Sequence, residues 1–297
     1  MQISPLFLYL RRVKRYLLYI ALILAAAGCS PKPTADEPTI YVTIAPLRSV
    51  VERIVGDDFR IEVLVPAGAS PETFEPSARQ YVALNEARWI FSTGLIDFET
   101  TLLHRLENQA RIINLSEGID LIAGSCSHAH HHHDGAHHHG VDPHIWTSPR
   151  ALKQMAENSY RAIAEAYPDS VKYTENYARL SADIEALDKR TEEALQQAHV
   201  KMVVVYHPAL TYYARDYGLR QEAIEQEGKE PSARALARLI QLGREAGVGR
   251  ILYQRQYPRS VVETVARDMG AEAVEFDPLG EDVIANIDSI TSLIIRK

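Results

Sequence analysis

The sequence predicts an α/β fold of two lobes, each a mostly parallel four-stranded sheet with flanking helices, joined by one long rigid helix. Three observations carry this. Short apolar runs alternate with helical patterns about four times in each half of the 297 residues, the rhythm of βα units. The run Val203-Val204-Val205 is continuous rather than alternating, which suits a parallel strand covered on both faces. Between the halves, Tyr177, Leu180, Ile184, Leu187, Ala194 and Ala198 mark one face of a single helical pattern.

In the first half, 40–44 reads as a strand and 47–55 as a helix. Charged alternation makes 60–65 a strand. Helix 77–87, strand 88–92, helix 98–109 and strand 111–115 follow. After a histidine-rich loop, Leu152, Met155, Ala156, Ser159 and Ile163 place a helix over 149–167. Pro168 and Asp169 suit the start of the next helix, 170–198. Unbroken, it spans ~43 Å, enough to join two lobes; a break near Thr191 would make it two shorter helices. The second half reads as strand 201–206, helix 212–217, short strand 222–225, helix 232–246, strand 250–254, helix 260–269, strand 273–276 and helix 282–295. The expected division is an N-terminal lobe 39–169 including the loop 125–140, a linking helix 170–198, and a C-terminal lobe 199–297.

The N-terminus places the protein. Arg11, Arg12, Lys14 and Arg15 precede an apolar run over 16–27, then Gly28-Cys29-Ser30. Basic, apolar, small is the layout of a secretory signal peptide, here 1–28. The run is shorter than the ~20 residues a membrane-spanning helix needs. Ala26-Ala27-Gly28-Cys29 resembles a bacterial lipobox, with Ala26 in place of the usual Leu. That resemblance implies acylation of Cys29 and an extracytoplasmic protein lipid-anchored to a bacterial membrane. The polar, Pro-rich stretch 29–38 reads as a tether.

The formal charge is −7, from 32 bases and 39 acids. This argues against nucleic acid as a partner, since a duplex binder carries a basic face. Residues 1–28 hold four of the bases and no acid, so their removal leaves 28 bases against 39 acids, a net −11. Two cysteines, Cys29 and Cys126, exclude a disulfide scaffold.

Ligands of open α/β sheets sit beyond the carboxyl ends of the strands. Four metal-type side chains follow expected strands or precede a helix there: Glu72, His144, His207 and Asp277. Each stands beside Pro or Gly, which stiffens its loop, and two come from each half. Taken singly, each also has a plainer reading as a turn residue or a solvated acid. Glu75 is a second carboxylate that competes with Glu72. Of the 12 histidines, eight crowd one loop: His128, His130, His131, His132, His133, His137, His138 and His139. The loop has nothing to pack a core with. Its neutral imidazoles suit weak zinc binding, as an antenna beside a tight site. Cys126 is either an extra loop ligand or an incidental thiol.

Several strings resemble, in order and nearly end to end after the tether, the solute-binding lipoproteins of zinc and manganese ABC transporters. They are Thr43-Ile44-Ala45-Pro46-Leu47, Pro66-Ala67-Gly68-Ala69-Ser70-Pro71 with Phe74-Glu75-Pro76-Ser77, and Asp142-Pro143-His144-Ile145-Trp146. Tyr206-His207-Pro208-Ala209 with Tyr217-Gly218-Leu219, Glu225 with Gly228-Lys229-Glu230-Pro231, and Asp277-Pro278-Leu279-Gly280 complete the set. The histidine-rich loop is typical of zinc-type members. The resemblance implies a metal held between the lobes, with His144, His207 and Asp277 at ligand positions. It implies delivery of Zn(II), with Mn(II) as the alternative, to an ABC permease and its ATPase by a monomeric, non-catalytic protein. Where the family usually has His, this chain has Glu72, giving two imidazoles and two carboxylates. That set still suits Zn(II) and tolerates Mn(II) better than three histidines would. A zinc-dependent hydrolase is the other alternative, but the sequence has no His-Glu-x-x-His helix, no Gly-x-Ser-x-Gly elbow and no phosphate-binding Gly loop.

Overall fold

Strands β1 (Thr39–Val42), β2 (Arg60–Val63), β3 (Trp89–Ser92) and β4 (Ile112–Asn114) form a parallel sheet in the order β2-β1-β3-β4. Strands β5 (Met202–Val205), β6 (Arg220–Ala223), β7 (Arg250–Tyr253) and β8 (Glu272–Glu275) form a second in the equivalent order β6-β5-β7-β8. The computed structural model describes residues 38–124, 140–225 and 231–296. The expected signal peptide, Cys29, Cys126 and the eight loop histidines lie outside the described residues.

The valine run behaves as a doubly covered strand should. Val203 and Val205 join the main core, and Val204 joins a smaller core with Ile224, Ile251 and Val262 on the other face. Each such side chain, fully buried, contributes about 1.5–3 kcal/mol.

The helices among the described residues are α1 (Ala45–Val55), α2 (Ala78–Glu86), α3 (Asp97–Leu103), α4 (Pro149–Ala166), α5 (Val171–Gln197), α6 (Thr211–Asp216), α7 (Ala233–Glu245), α8 (Arg259–Met269) and α9 (Val283–Ile295). Short polar side chains start several of them. Ser148 accepts from the N–H groups of Arg150 and Ala151, and Ser170 from that of Tyr173. Helix α5 runs unbroken through Thr191, burying Leu180, Ile184, Leu187, Thr191 and Leu195. It ends where His199 turns left-handed at φ 53° and the Val200 N–H donates to the Leu195 carbonyl at 3.1 Å. At 27 residues it spans ~40 Å. It packs against α4, α1 and α9. Arg190 on α5 forks onto Asp288 of α9 at 2.8 and 2.6 Å. The main core runs without a break from Ile40 through α5 to Ile290, so the bridge is packed on both lobes.

Apart from α3, every element lies within two residues of its expected bounds, with β1, β2, α1 and β6 shifted by two at one end or both. Helix α3 stops at Leu103 instead of continuing to 109, because the Gln109 carboxamide donates to the Leu103 and Leu106 carbonyls at 2.9 and 2.7 Å. Strand β6 begins at Arg220, two residues earlier than read, since its ladder starts level with Met202 of β5. Among the described residues, no helix is long and apolar enough to cross a membrane.

A buried carboxylate ties strand ends together in the N-terminal lobe. Glu99 is 1% exposed. One oxygen accepts from the Thr43 hydroxyl and, at 3.1 Å, from the Thr93 N–H. The other accepts from the Thr93 hydroxyl at 2.6 Å and from the N–H groups of Leu95 and Ile96 at 3.1 and 3.2 Å. Thr43 follows β1 and Thr93 follows β3, on the side of the sheet where ligands gather.

Candidate metal centre

Glu72 reaches its place through a tight loop after β2. Gly68 takes φ 81°, a left-handed turn that suits glycine, and the Ala69 N–H closes onto the Pro66 carbonyl at 3.1 Å. Glu72 is partly buried, whereas its rival Glu75 points to solvent. His144 sits at the entry to a 3-10 turn, Ile145–Thr147, just ahead of α4. His207 lies two residues beyond β5. Both histidines are buried, 6% and 2% exposed.

Each imidazole is held from behind by a carboxylate. His144 Nδ1 lies 2.9 Å from Asp142 Oδ1, and the His144 backbone N–H donates to the same oxygen at 2.9 Å. His207 Nδ1 lies 3.4 and 3.5 Å from the Glu225 oxygens. A carboxylate only accepts, so Nδ1 carries the hydrogen and Nε2 is turned toward the cavity as a donor atom. The two rings meet edge to face, centroids 5.2 Å apart, and Tyr257 stacks on His207 at 5.6 Å.

The Nε2 atoms and a Glu72 oxygen converge. His207 Nε2 lies 2.8 Å and His144 Nε2 4.0 Å from Glu72 Oε1, and donor atoms of the three residues all lie within 4.8 Å of one another. His207 Nε2 is fully buried and faces the Glu72 carboxylate. Ligands of a tetrahedral zinc with bonds of 2.0–2.1 Å stand about 3.3 Å apart, so these separations bracket the span of one ion. The cavity is about 30 Å³, partly open to solvent, and walled also by Trp146, Gln254, Tyr257 and Leu279.

The electrostatics favour a cation. Burial opposes charge on His207, but Glu225 and then Glu72 outweigh it and push its pKa up to about 9. Burial likewise opposes charge on Asp142, yet the attraction of His144 and its hydrogen bonds hold that carboxyl below its usual range.

Both lobes build the wall. Trp146 Nε1 donates to the Pro278 carbonyl at 2.9 Å, and the Tyr212 hydroxyl to the Asp142 carbonyl at 2.7 Å. The Thr147 hydroxyl lies 2.9 Å from the His144 carbonyl and 3.1 Å from that of Ala209.

Asp277 does not join this group. It is exposed, and its Oδ1 accepts from the Leu279 N–H at 2.8 Å, capping its own turn. The reason lies in sheet order. Strand β8 is the edge strand, two positions from β5, and two strand spacings amount to ~9.6 Å. The loops of Glu72 and His144 are long enough to fold back, but Asp277 follows its strand almost at once. Asp142 and Glu225, which orient the histidines, stand inside motifs the sequence analysis used but were not read as site residues. Gln254, which also walls the cavity, carries no such signal in the sequence, because a carboxamide is not among the common metal-type side chains.

The family described as zinc-uptake complex component A, periplasmic, matches residues 40–292. The chain belongs to this family. The zinc-binding lipoprotein AdcA of Streptococcus pneumoniae is 30% identical over 275 residues, 88% of this chain and 55% of that protein. The chain thus spans about half the length of that relative. The high-affinity zinc uptake system protein ZnuA of Bacillus subtilis is 28% identical over 84% of this chain and 82% of its own length. A crystal structure of ZnuA superposes with a TM-score of 0.77 at 33% identity, covering 88% of this chain and 98% of that one. The two-lobed architecture is therefore that of the family.

Proposed function

We propose that the protein is the extracytoplasmic capture component of an ABC importer, holding Zn(II) on Glu72, His144 and His207 and handing it to a permease driven by an ATPase. The observation that carries this reading is the convergence of two buried imidazole nitrogens and one carboxylate oxygen on a single ion-sized cavity. Family membership and the names of the relatives support zinc uptake as its purpose. Two imidazoles and one carboxylate favour zinc over manganese, which prefers oxygen-rich octahedral sites. A cavity of about 30 Å³ is of a size for a single ion. One chain supplies the donors, so a monomer suffices. Acylated Cys29 would hold the protein at the membrane, in keeping with a relative named as a lipoprotein. The histidines of 128–139 would gather zinc weakly.

Metal analysis of the mature chain lacking 128–139 tests this. One tightly held zinc per chain is expected, and its loss on deleting the loop would contradict the assignment. Cells whose only copy carries His144→Ala with His207→Ala should grow under zinc chelation as poorly as cells lacking the gene. Growth equal to wild type would contradict the transport role.

The raised His207 pKa gives a pH prediction. Below about pH 9 the metal-free imidazole holds a second proton that zinc must displace. Apparent zinc affinity should therefore rise with pH, by up to about tenfold per unit, and level off near 9. Calorimetry in buffers of different ionisation enthalpy should register release of about one proton per zinc at neutral pH; binding with no proton release would contradict the assignment.

A further inference from the structure

Three donors leave one position of a tetrahedral ion open. Strands β5 and β7 are neighbours, with Val205 level with Leu252. The ladder continues past the strand ends, since the Tyr206 N–H donates to the Leu252 carbonyl at 2.8 Å. Two residues further along each strand, His207 stands level with Gln254, on strands ~4.8 Å apart. Gln254 is 3% exposed and walls the same cavity as Glu72, His144 and His207. Its carboxamide oxygen is buried with no hydrogen-bond partner among the described residues. A buried amide oxygen without a donor is costly to keep, and a cation in the adjoining cavity satisfies it.

Asp277 makes the contrast. In register it is level with Arg255, one strand further out. It lines a wider cleft of about 420 Å³ instead, which shares the wall residues Gln254, Gln256, Pro278 and Leu279 with the ion-sized cavity. Gln254 therefore stands where the two spaces meet.

We infer that the Gln254 carboxamide oxygen is the fourth donor to the bound metal, in the role the sequence suggested for Asp277. This rests on the metal centre described above. Hard and borderline divalent ions accept such oxygens. A neutral fourth donor leaves the inner ligand set with the single negative charge of Glu72, while Asp142 and Glu225 supply the rest from behind the imidazoles. It also holds the metal less firmly than a second carboxylate, on the side that opens to the cleft.

The test compares the mature wild-type chain with Gln254→Ala, Gln254→Glu, Asp277→Ala and His207→Ala. Tight-site zinc affinity is read by chelator competition, the melting temperature is taken without metal, and the glutamine side-chain amides are followed by NMR during zinc titration. Gln254→Ala should weaken zinc binding by about tenfold or more with little change in the metal-free melting temperature. Gln254→Glu should restore tight binding, and Asp277→Ala should bind as wild type. One glutamine carboxamide signal, absent in Gln254→Ala, should shift at one equivalent of zinc. Wild-type affinity in Gln254→Ala overturns the inference, as does an affinity loss in Asp277→Ala matching that in Gln254→Ala. A loss accompanied by an equal fall in metal-free stability and no carboxamide shift also overturns it, assigning Gln254 to packing alone. Wild-type affinity in His207→Ala would instead mean that the metal centre itself is misplaced, and the fourth donor falls with it.

Discussion

Replacing His207 with alanine should weaken tight zinc binding by more than ~100-fold. Partners one layer behind a ligand already cost about 10–100-fold when removed, and His207 stands in front of such a partner. Its Nε2 is 2.8 Å from Glu72, and Glu225 faces its Nδ1. Alanine removes a neutral nitrogen donor and leaves the Glu72 and Glu225 carboxylates facing a buried gap. Glu225→Gln keeps the imidazole but weakens its support, so it should fall in the 10–100-fold range. Chelator competition on the mature chain measures both. An His207→Ala affinity within tenfold of wild type would remove His207 from the site.

The largest loss of stability is expected at Glu99, which is not among the proposed ligands. Five donors end on its two oxygens, three of them backbone N–H groups at or after the ends of β3. Each buried donor left unpaired costs about 1–3 kcal/mol, and water entering the vacated space recovers part of that. Glu99→Ala should therefore destabilise the metal-free protein by about 3–5 kcal/mol. Glu99→Gln should cost about 2–3 kcal/mol, because its NH₂ group meets N–H and O–H donors where an acceptor stood. Urea denaturation of the metal-free chain reads both. A change below 1 kcal/mol in Glu99→Ala would mean that this cluster does not hold the strand ends.

Much of this architecture was legible in the residues. The valine run 203–205 announced a strand covered on both faces, and its alternation between two cores is the physical form of that signal. The stripe from Tyr177 to Ala198 announced one bridging helix, and burial of Thr191 within it leaves no break. Local exceptions came from side chains acting at a distance, as when Gln109 ends α3 by taking two carbonyls.

The candidate site was legible in part, for a reason that belongs to topology. Position after a strand can be read along the chain, and that brought Glu72, His144 and His207 forward. The order of strands across the sheet cannot be read that way. Asp277 follows β8 much as His207 follows β5, yet β8 lies at the edge and β7 lies beside β5. The residue level with His207 is thus Gln254, whose carboxamide gave no sequence signal for metal. Glu99 was hidden for a different reason, since an acid near a helix start reads as a helix-end charge until its five donors are seen together.

In the proposed site one ion sits between the lobes on two imidazoles and one carboxylate. Crystals of the mature protein grown with one equivalent of zinc, with diffraction recorded on both sides of the zinc absorption edge, test it most directly. One dominant anomalous peak is expected at about 2.0–2.2 Å from Nε2 of His144, Nε2 of His207 and a Glu72 oxygen. A dominant peak on Asp277, on the histidines of 128–139, or anywhere beyond reach of both His144 and His207 would contradict it.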